Sequence, residues 1–125
     1  MMHHEFDGWL QTYGAAWEAR DARAFRALFT EDVRYYWTPF EEPKNGRDGV
    51  AAAFESAIAN QRDIHFRYEI LSVDEARCVA RWWCSLTRPA TGRRVQLDGI
   101  LMVEPDADGL CDVFREWWHS DEHET

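Results

Sequence analysis

Glu116 stands among aromatic residues in the run Phe114-Arg115-Glu116-Trp117-Trp118-His119. Its bulky residues favour a strand. Successive strand side chains face opposite sides. Phe114, Glu116 and Trp118 therefore share one face, and Arg115, Trp117 and His119 share the other. A carboxyl group held against large apolar rings loses hydration, which raises its pKa toward neutrality and fits it for proton transfer. Glu116 is thus the first candidate general acid or base. An ion pair from an arginine such as Arg34 or Arg81 would instead make it a structural residue.

Two more groups have usable chemistry. Tyr13 belongs to a helical stripe, and its hydroxyl either donates to a ligand oxygen or is satisfied within the core. Asp98 lies on a strand whose alternation puts Val95, Leu97, Gly99, Leu101 and Val103 inside and Asp98 outside. A bulge at Gly99 would be needed to turn Asp98 inward. Trp17, Tyr36, Trp37, Trp82 and Trp118 either line a cavity for a flat apolar ligand or fill the core. His65 and His119 are expected outside or at a rim. No residues have metal-ligand spacing, and no glycine-rich phosphate loop is present, so no cofactor is expected.

These residues belong to a chain of 125 residues, enough for one domain, read as 1–125. Hydrophobic residues make up 46% and aromatics 14%, seven of them Trp, which excludes a disordered chain. The net charge of −9 argues against nucleic acid as a partner. The start, Met1-Met2-His3-His4-Glu5, lacks a signal-peptide core, and no apolar run is long enough to span a membrane. The expected location is cytoplasmic. The three cysteines are expected as free thiols. Cys78 and Cys84 lie roughly 20 Å apart along one strand, too far for a disulfide.

Phe6, Trp9, Leu10, Tyr13 and Trp17 have helical spacing. Asp21 is placed to cap a second helix carrying Phe25, Leu28 and Phe29. A strand at Val33 to Trp37 precedes a loop marked by Pro39, Pro43 and Asn45-Gly46. A third helix buries Val50, Phe54, Ala57 and Ile58. Four strands follow: Ile64 to Ile70, Cys78 to Thr87, Arg93 to Glu104, expected to be the longest, and Leu110 to His119. The polar tail from Ser120 is expected to be loose. Helices first and strands after form an α+β plan. Three N-terminal helices would pack on a strongly curved, mostly antiparallel sheet, a cone-shaped half-barrel with an internal pocket.

Tyr13 with Trp17, Asp21, Phe29-Thr30-Glu31-Asp32, Thr38-Pro39-Phe40, Gly46-Arg47, Leu97-Asp98-Gly99 and Arg115-Glu116-Trp117-Trp118 occur in an order and spacing that resembles the NTF2-like superfamily. Within it the resemblance is to SnoaL-like and ketosteroid-isomerase-like proteins, and it covers nearly the whole chain. It implies a fold more than an activity, since members include isomerases, cyclases, dehydratases and epoxide hydrolases. Tyr13 resembles the isomerases' first oxyanion-hole tyrosine. Thr38 falls where the isomerases carry their base aspartate, and Leu101 where their second oxyanion donor falls. The resemblance therefore argues against steroid isomerisation, and Leu101 also weakens the likeness to SnoaL-type cyclases, which use an acid on that strand.

The expected function is binding of a hydrophobic small molecule. Cofactor-free acid–base chemistry would follow, as in a lyase, isomerase or cyclase. Glu116, Tyr13 and Asp98 are its candidate catalytic residues. The candidate pocket is formed by Trp17, Tyr36, Trp37, Thr38, Trp82, Leu101, Phe114 and Trp118. The alternative is a non-catalytic binding or dimerisation module of the same fold. A raised Glu116 pKa beside an open cavity favours the enzyme; a tight arginine pair in a filled core favours the module. Trp83, Ile100, Met102, Val113 and Trp117 would remain on the outer sheet face and predict a homodimer through it.

Overall fold

The computed structural model describes residues 1–123. Three helices come first: α1 (His3–Glu18), α2 (Ala22–Arg26) and, after two strands, α3 (Gly46–Ile58). The strands are β1 (Phe29–Tyr36), β2 (Lys44–Asn45), β3 (Arg62–Val73), β4 (Cys78–Thr87), β5 (Arg94–Pro105) and β6 (Cys111–His123). They form one sheet in the order β2-β1-β6-β5-β4-β3. Only β1 and β6 run parallel; the other neighbours are antiparallel. The curved, unclosed sheet carries the helices on one face, so the α+β expectation holds.

The local causes are visible in the sequence. The Asp21 carboxylate accepts from the Ala24 N–H at 3.1 Å and caps α2. Asp48 sits in the first turn of α3, where a negative charge suits the helix dipole, and pairs with Arg26 at 2.6 Å. Phe6, Trp9, Leu10 and Tyr13 on α1 are buried against the sheet. Gly14 is required by that packing: a Cβ there would stand 2.6 Å from the Phe66 ring on β3. Phe25 of α2 and Phe54 of α3 stack at 4.1 Å. The helices thus enter one aromatic core with the sheet's inner face.

Four boundaries differ from expectation. Phe29 opens β1 instead of extending α2, and Cys111 donates its N–H to Leu28 O at 2.9 Å as the chain enters the sheet. Lys44–Asn45 adds a short edge strand beside β1. β3 is longer than expected at both ends. The tail through His123 is a strand, so β6, at 13 residues, exceeds β5, at 12. Its polar residues pair with the start of β5: Glu122 faces Val95 and Asp121 faces Gln96. Residues 124–125, the rest of the expected loose tail, lie outside the described residues.

Candidate functional site

Strand register determines which side chains meet beneath the helices. Across the inner face, Glu116 of β6 is level with Leu101 of β5 and Ala80 of β4. The next level is Trp118, Gly99 and Trp82. Register runs without a shift through Gly99 on both sides, so no bulge forms there. A methyl group at Gly99 would meet Trp117 O at 2.5 Å and Trp82 Cε2 at 2.9 Å. The missing side chain lets the Trp82 indole lie across β5.

Between this face and the helices is a cavity of about 290 Å³. Tyr13 and Trp17 of α1 form one side, with Phe54, Ala57 and Ile58 of α3. Glu116, Trp118, Tyr35 and Trp82 form the sheet side, with Val95 and Leu97. Gln61, Arg88 and Ser120 bring polar groups to the wall. Trp118 is 38% exposed, so it occupies a rim between cavity and solvent. Arg88 is tied to Glu122 at 2.6 Å, which anchors the end of β6 beside the cavity.

Glu116 is 6% exposed and lines this cavity. Among the described residues, no hydrogen bond or ion pair engages its carboxyl group. Burial alone pushes its pKa from 4.5 up to about 8. The arginine pairs that would have made it structural are absent: Arg81 pairs with Asp98 at 2.9 Å on the other face, and Arg34 lies exposed.

Tyr13 is buried beside it, stacked between Trp9 at 5.3 Å and Phe114 at 6.0 Å. Burial, and then the negative charge of Glu116, raise the Tyr13 pKa well above 10, so the phenol remains protonated. Tyr35 behaves alike for the same two reasons. A side-chain hydrogen bond shared by Tyr13 and Tyr35 lowers the Tyr13 pKa and raises that of Tyr35. Trp17 is fixed by its indole N–H, which donates to Gln61 Oε1 at 2.7 Å.

Trp17, Trp37, Trp82 and Trp118 reach the cavity wall, as do Glu116 and Tyr13. Five candidates do not. Asp98 points outward, half-exposed, and the Arg81 hydrogen bond holds its pKa down. Tyr36 also points outward, with the Arg115 guanidinium over its ring at 4.8 Å. Thr38 lies in a turn, where its hydroxyl accepts from the Phe40 N–H at 3.3 Å. Leu101 is fully buried in the core. Phe114 stacks behind Tyr35 at 4.4 Å and supports it without reaching the cavity. Tyr35 was missed by sequence reasoning, although Val33 and Tyr35 alternate with Arg34 and Tyr36 and so indicate the inner phase.

The outer face carries Trp117, 43% exposed, with half-buried Trp83, Ile100 and Met102. Val113 is buried, so it leaves the expected patch. Trp83 is covered by two guanidinium groups, Arg67 at 4.3 Å and Arg81 at 4.6 Å. His65 and His119 are exposed on this side. Cys78, Cys84 and Cys111 are free and buried. No three His, Cys, Asp or Glu side chains cluster as a metal site would need among the described residues. No helix there is long and apolar enough to cross a membrane.

A family model described as a SnoaL-like domain matches residues 10–114. No curated protein matches the sequence. Among solved structures, a Δ5-3-ketosteroid isomerase from a Mycobacterium species superposes with a TM-score of 0.80 at 17% identity, covering 95% of this chain and 98% of the isomerase. A structure titled for the epoxide hydrolase/cyclase-like enzyme SalBIII, in pyran ring formation of salinomycin, gives 0.79 at 16%, covering 93% and 92%. A computationally designed 17-OHP binder gives 0.79 at 17%, covering 94% and 96%. At such identities the likeness is one of fold.

Proposed function

Because the chain belongs to the SnoaL-like domain family, within the NTF2-like superfamily, we propose that it binds a compact hydrophobic molecule in the cavity and moves a proton on it. The supporting observation is Glu116: a buried carboxyl group without an ion partner, on the wall of an open cavity, with its pKa near 8. Such a group changes protonation close to physiological pH, the condition for efficient general acid–base catalysis. The cavity volume lies at the lower edge of the roughly 300–1,000 Å³ typical of ligand sites, which suits a small ring system.

In the proposed reaction, ionised Glu116 removes a proton from a carbon next to a carbonyl. Electron density shifts to the oxygen. Tyr13 donates a hydrogen bond to that oxygen, and Tyr35, its hydrogen-bond partner, supports it. Donors already aimed at developing charge need no reorganisation as it forms. Protonated Glu116 then returns the proton, to another carbon in an isomerisation or to a departing hydroxyl in a dehydration that releases water. Either way the carboxylate is regenerated. In ring closure the carbon that lost its proton instead attacks a second carbonyl of the same molecule, and protonated Glu116 gives its proton to the alkoxide that forms.

The fold relatives titled as an isomerase and a cyclase-like enzyme support this class of chemistry without selecting a substrate. Their company also includes a designed binder, so the fold alone does not require turnover. Leu101, level with Glu116 on the neighbouring strand, leaves the cavity without a carboxyl at that β5 position. That favours other substrates over steroid isomerisation.

The test is a screen of cyclic ketones, hydroxyketones and epoxides, followed by the pH–rate profile of any substrate found. Glu116→Gln preserves shape and removes the titratable group. It is expected to fold and to lose turnover. Tyr13→Phe is expected to lower turnover by about 10²–10³-fold, the effect of losing one oxyanion donor. The wild-type profile should inflect near pH 8, rising if the carboxylate is the base in the limiting step and falling if the acid is. A profile flat through that region, or full activity in Glu116→Gln, removes Glu116 from the chemistry.

A further inference from the structure

Two polar side chains at the open end of the cavity carry donors that nothing uses. Along the inner phase of β6, Glu116 is buried whereas Trp118 and Ser120 are exposed, so the cavity opens toward Ser120. Arg88 also reaches the cavity wall and is tied to Glu122, the next inner-phase residue beyond Ser120. Gln61 is opposite Arg88: Arg62 pairs with Thr87, and these two are the next residues outward on the β3–β4 ladder.

Each side chain is held by one contact that leaves its other nitrogens over. The Trp17 indole N–H donates to Gln61 at 2.7 Å. An indole can only donate, so the amide oxygen must face Trp17, and the amide NH₂ is left over. Arg88 Nε donates to Glu122 at 2.6 Å, and Arg93 stands 4.0 Å from the same carboxylate. Among the described residues, neither the Gln61 NH₂ nor the terminal nitrogens of Arg88 have a hydrogen-bond partner. They are not sealed inside protein either: the buried, unpartnered side-chain nitrogens there are Arg47 Nε and Trp82 Nε1. Guanidinium and amide nitrogens donate and do not accept. A planar cationic fork facing a planar amide across one mouth matches the two oxygens of a carboxylate.

We propose that Arg88 and Gln61 anchor a carboxylate at the outer end of the molecule bound in the cavity. The inference rests on the reading of the cavity as a small-molecule site and adds a feature of its ligand: an acid group at the solvent end. The apolar body then lies between Trp17 and Trp118, and the reacting end reaches Glu116. Ser120 is four residues from Glu116, roughly 13 Å along the strand, which sets the scale of the separation between the two ends. Glu122 already takes part of the positive charge, which suits a singly charged group. The net charge of −9 gives an anion no general attraction, so a preference for the acid would be local.

The test uses 3-(2-naphthyl)propanoate, its neutral amide of nearly the same shape, and 2-ethylnaphthalene, which has no polar end. Equilibrium dialysis gives the affinity of each for the wild type, Arg88→Gln, Gln61→Glu and the double variant Arg88→Gln with Glu122→Gln. The hydrocarbon checks that each variant keeps its cavity. The wild type should prefer the acid to the amide by roughly tenfold, the value of a charge-assisted hydrogen bond. Arg88→Gln should abolish that preference. So should the double variant, in which no released Glu122 repels the acid. Gln61→Glu keeps an oxygen for Trp17 and replaces the NH₂ by a charged oxygen, so it should reverse the preference. In the wild-type complex, the ¹³C-labelled carboxyl of the probe should titrate below its value in water, whereas a place against the apolar rings would raise it. Equal affinities for acid and amide in the wild type, a preference that survives in the double variant or in Gln61→Glu, or a raised carboxyl pKa overturns the anchor while leaving the cavity as a binding site. Failure of all three probes to bind overturns the small-molecule reading and this inference with it.

Discussion

Glu116 should make the protein less stable as pH rises, and Glu116→Gln should remove that dependence. In the unfolded chain its carboxyl titrates near 4.5; in the folded protein it titrates near 8. Below pH 4.5 both states hold the proton and nothing is lost. Between 4.5 and 8 the unfolded chain releases the proton while the folded protein keeps it, so stability falls with pH. Above 8 both states are ionised and the loss is complete. The gap of 3.5 units (8 minus 4.5), at about 1.4 kcal/mol per unit, amounts to about 5 kcal/mol. That is an upper figure, since water drawn into the cavity would solvate the carboxylate. It is still a large part of the roughly 5–15 kcal/mol that stabilises a typical domain. Urea unfolding of both proteins at intervals from pH 4 to 9 measures it. The two curves should run together near pH 4 and separate by several kcal/mol by pH 9, with the glutamine variant the more stable. Other titrating groups cancel in the difference. A separation that does not grow across this window would show that the carboxyl group is solvated, and the case for Glu116 as a proton carrier would fall with it.

Gly99→Ala should destabilise by about 1–3 kcal/mol in urea unfolding, because its methyl group has a backbone oxygen on one side and the Trp82 ring on the other; an unchanged midpoint would show that the β5–β6 pair yields freely. Asp98→Asn should leave both the unfolding midpoint and probe binding nearly unchanged, since its partner Arg81 is solvated on the outer face; lost binding would place Asp98 in the site after all. Light scattering at micromolar concentration should give a dimer mass, since Trp117 is exposed beside Ile100 and Met102. Trp117→Glu should return a monomer; a wild-type monomer refutes the dimer, and a dimer that survives the substitution lies on another face.

The inner phase of β6 was legible because Glu116 sits in a run with one clear alternation, and pairing with β5 preserved it. The fold class was legible for the same reason, repeated along α1, α3 and the later strands. For Tyr35 the alternation of Val33 with Arg34 indicates a phase, but consecutive aromatics look equally able to be buried and mask it. Its inward phase is set by pairing with Phe114 across the parallel β1–β6 seam, beyond a register shift between Phe29 and Arg34. The end of β6 was not legible either. Ser120, Asp121 and Glu122 have the composition of a loose tail, and become strand through pairing with β5 and through Arg88, which is distant in sequence. Arg88 and Gln61 came to the cavity from loop positions that no periodicity marks. The outward turn of Asp98 was readable from alternation alone. The place of the Trp82 ring depends on a side chain missing from the neighbouring strand, at Gly99, which only the assembled sheet reveals.

The buried thiols are internal clocks. Burial raises the pKa of Cys84 to about 12 and that of Cys111 well above its usual value, so neither is reactive while the sheet is closed. Alkylation must wait for an opening, and the two residues wait for different ones. Cys84 is released when β4 parts from β3 or β5, whereas Cys111 sits opposite Phe29 where β6 meets β1. With a thiol reagent in excess, the two labelling rates would separate breathing of the outer hairpin from breathing of the parallel seam. A molecule seated in the cavity, touching both halves of the sheet, would slow the two clocks together.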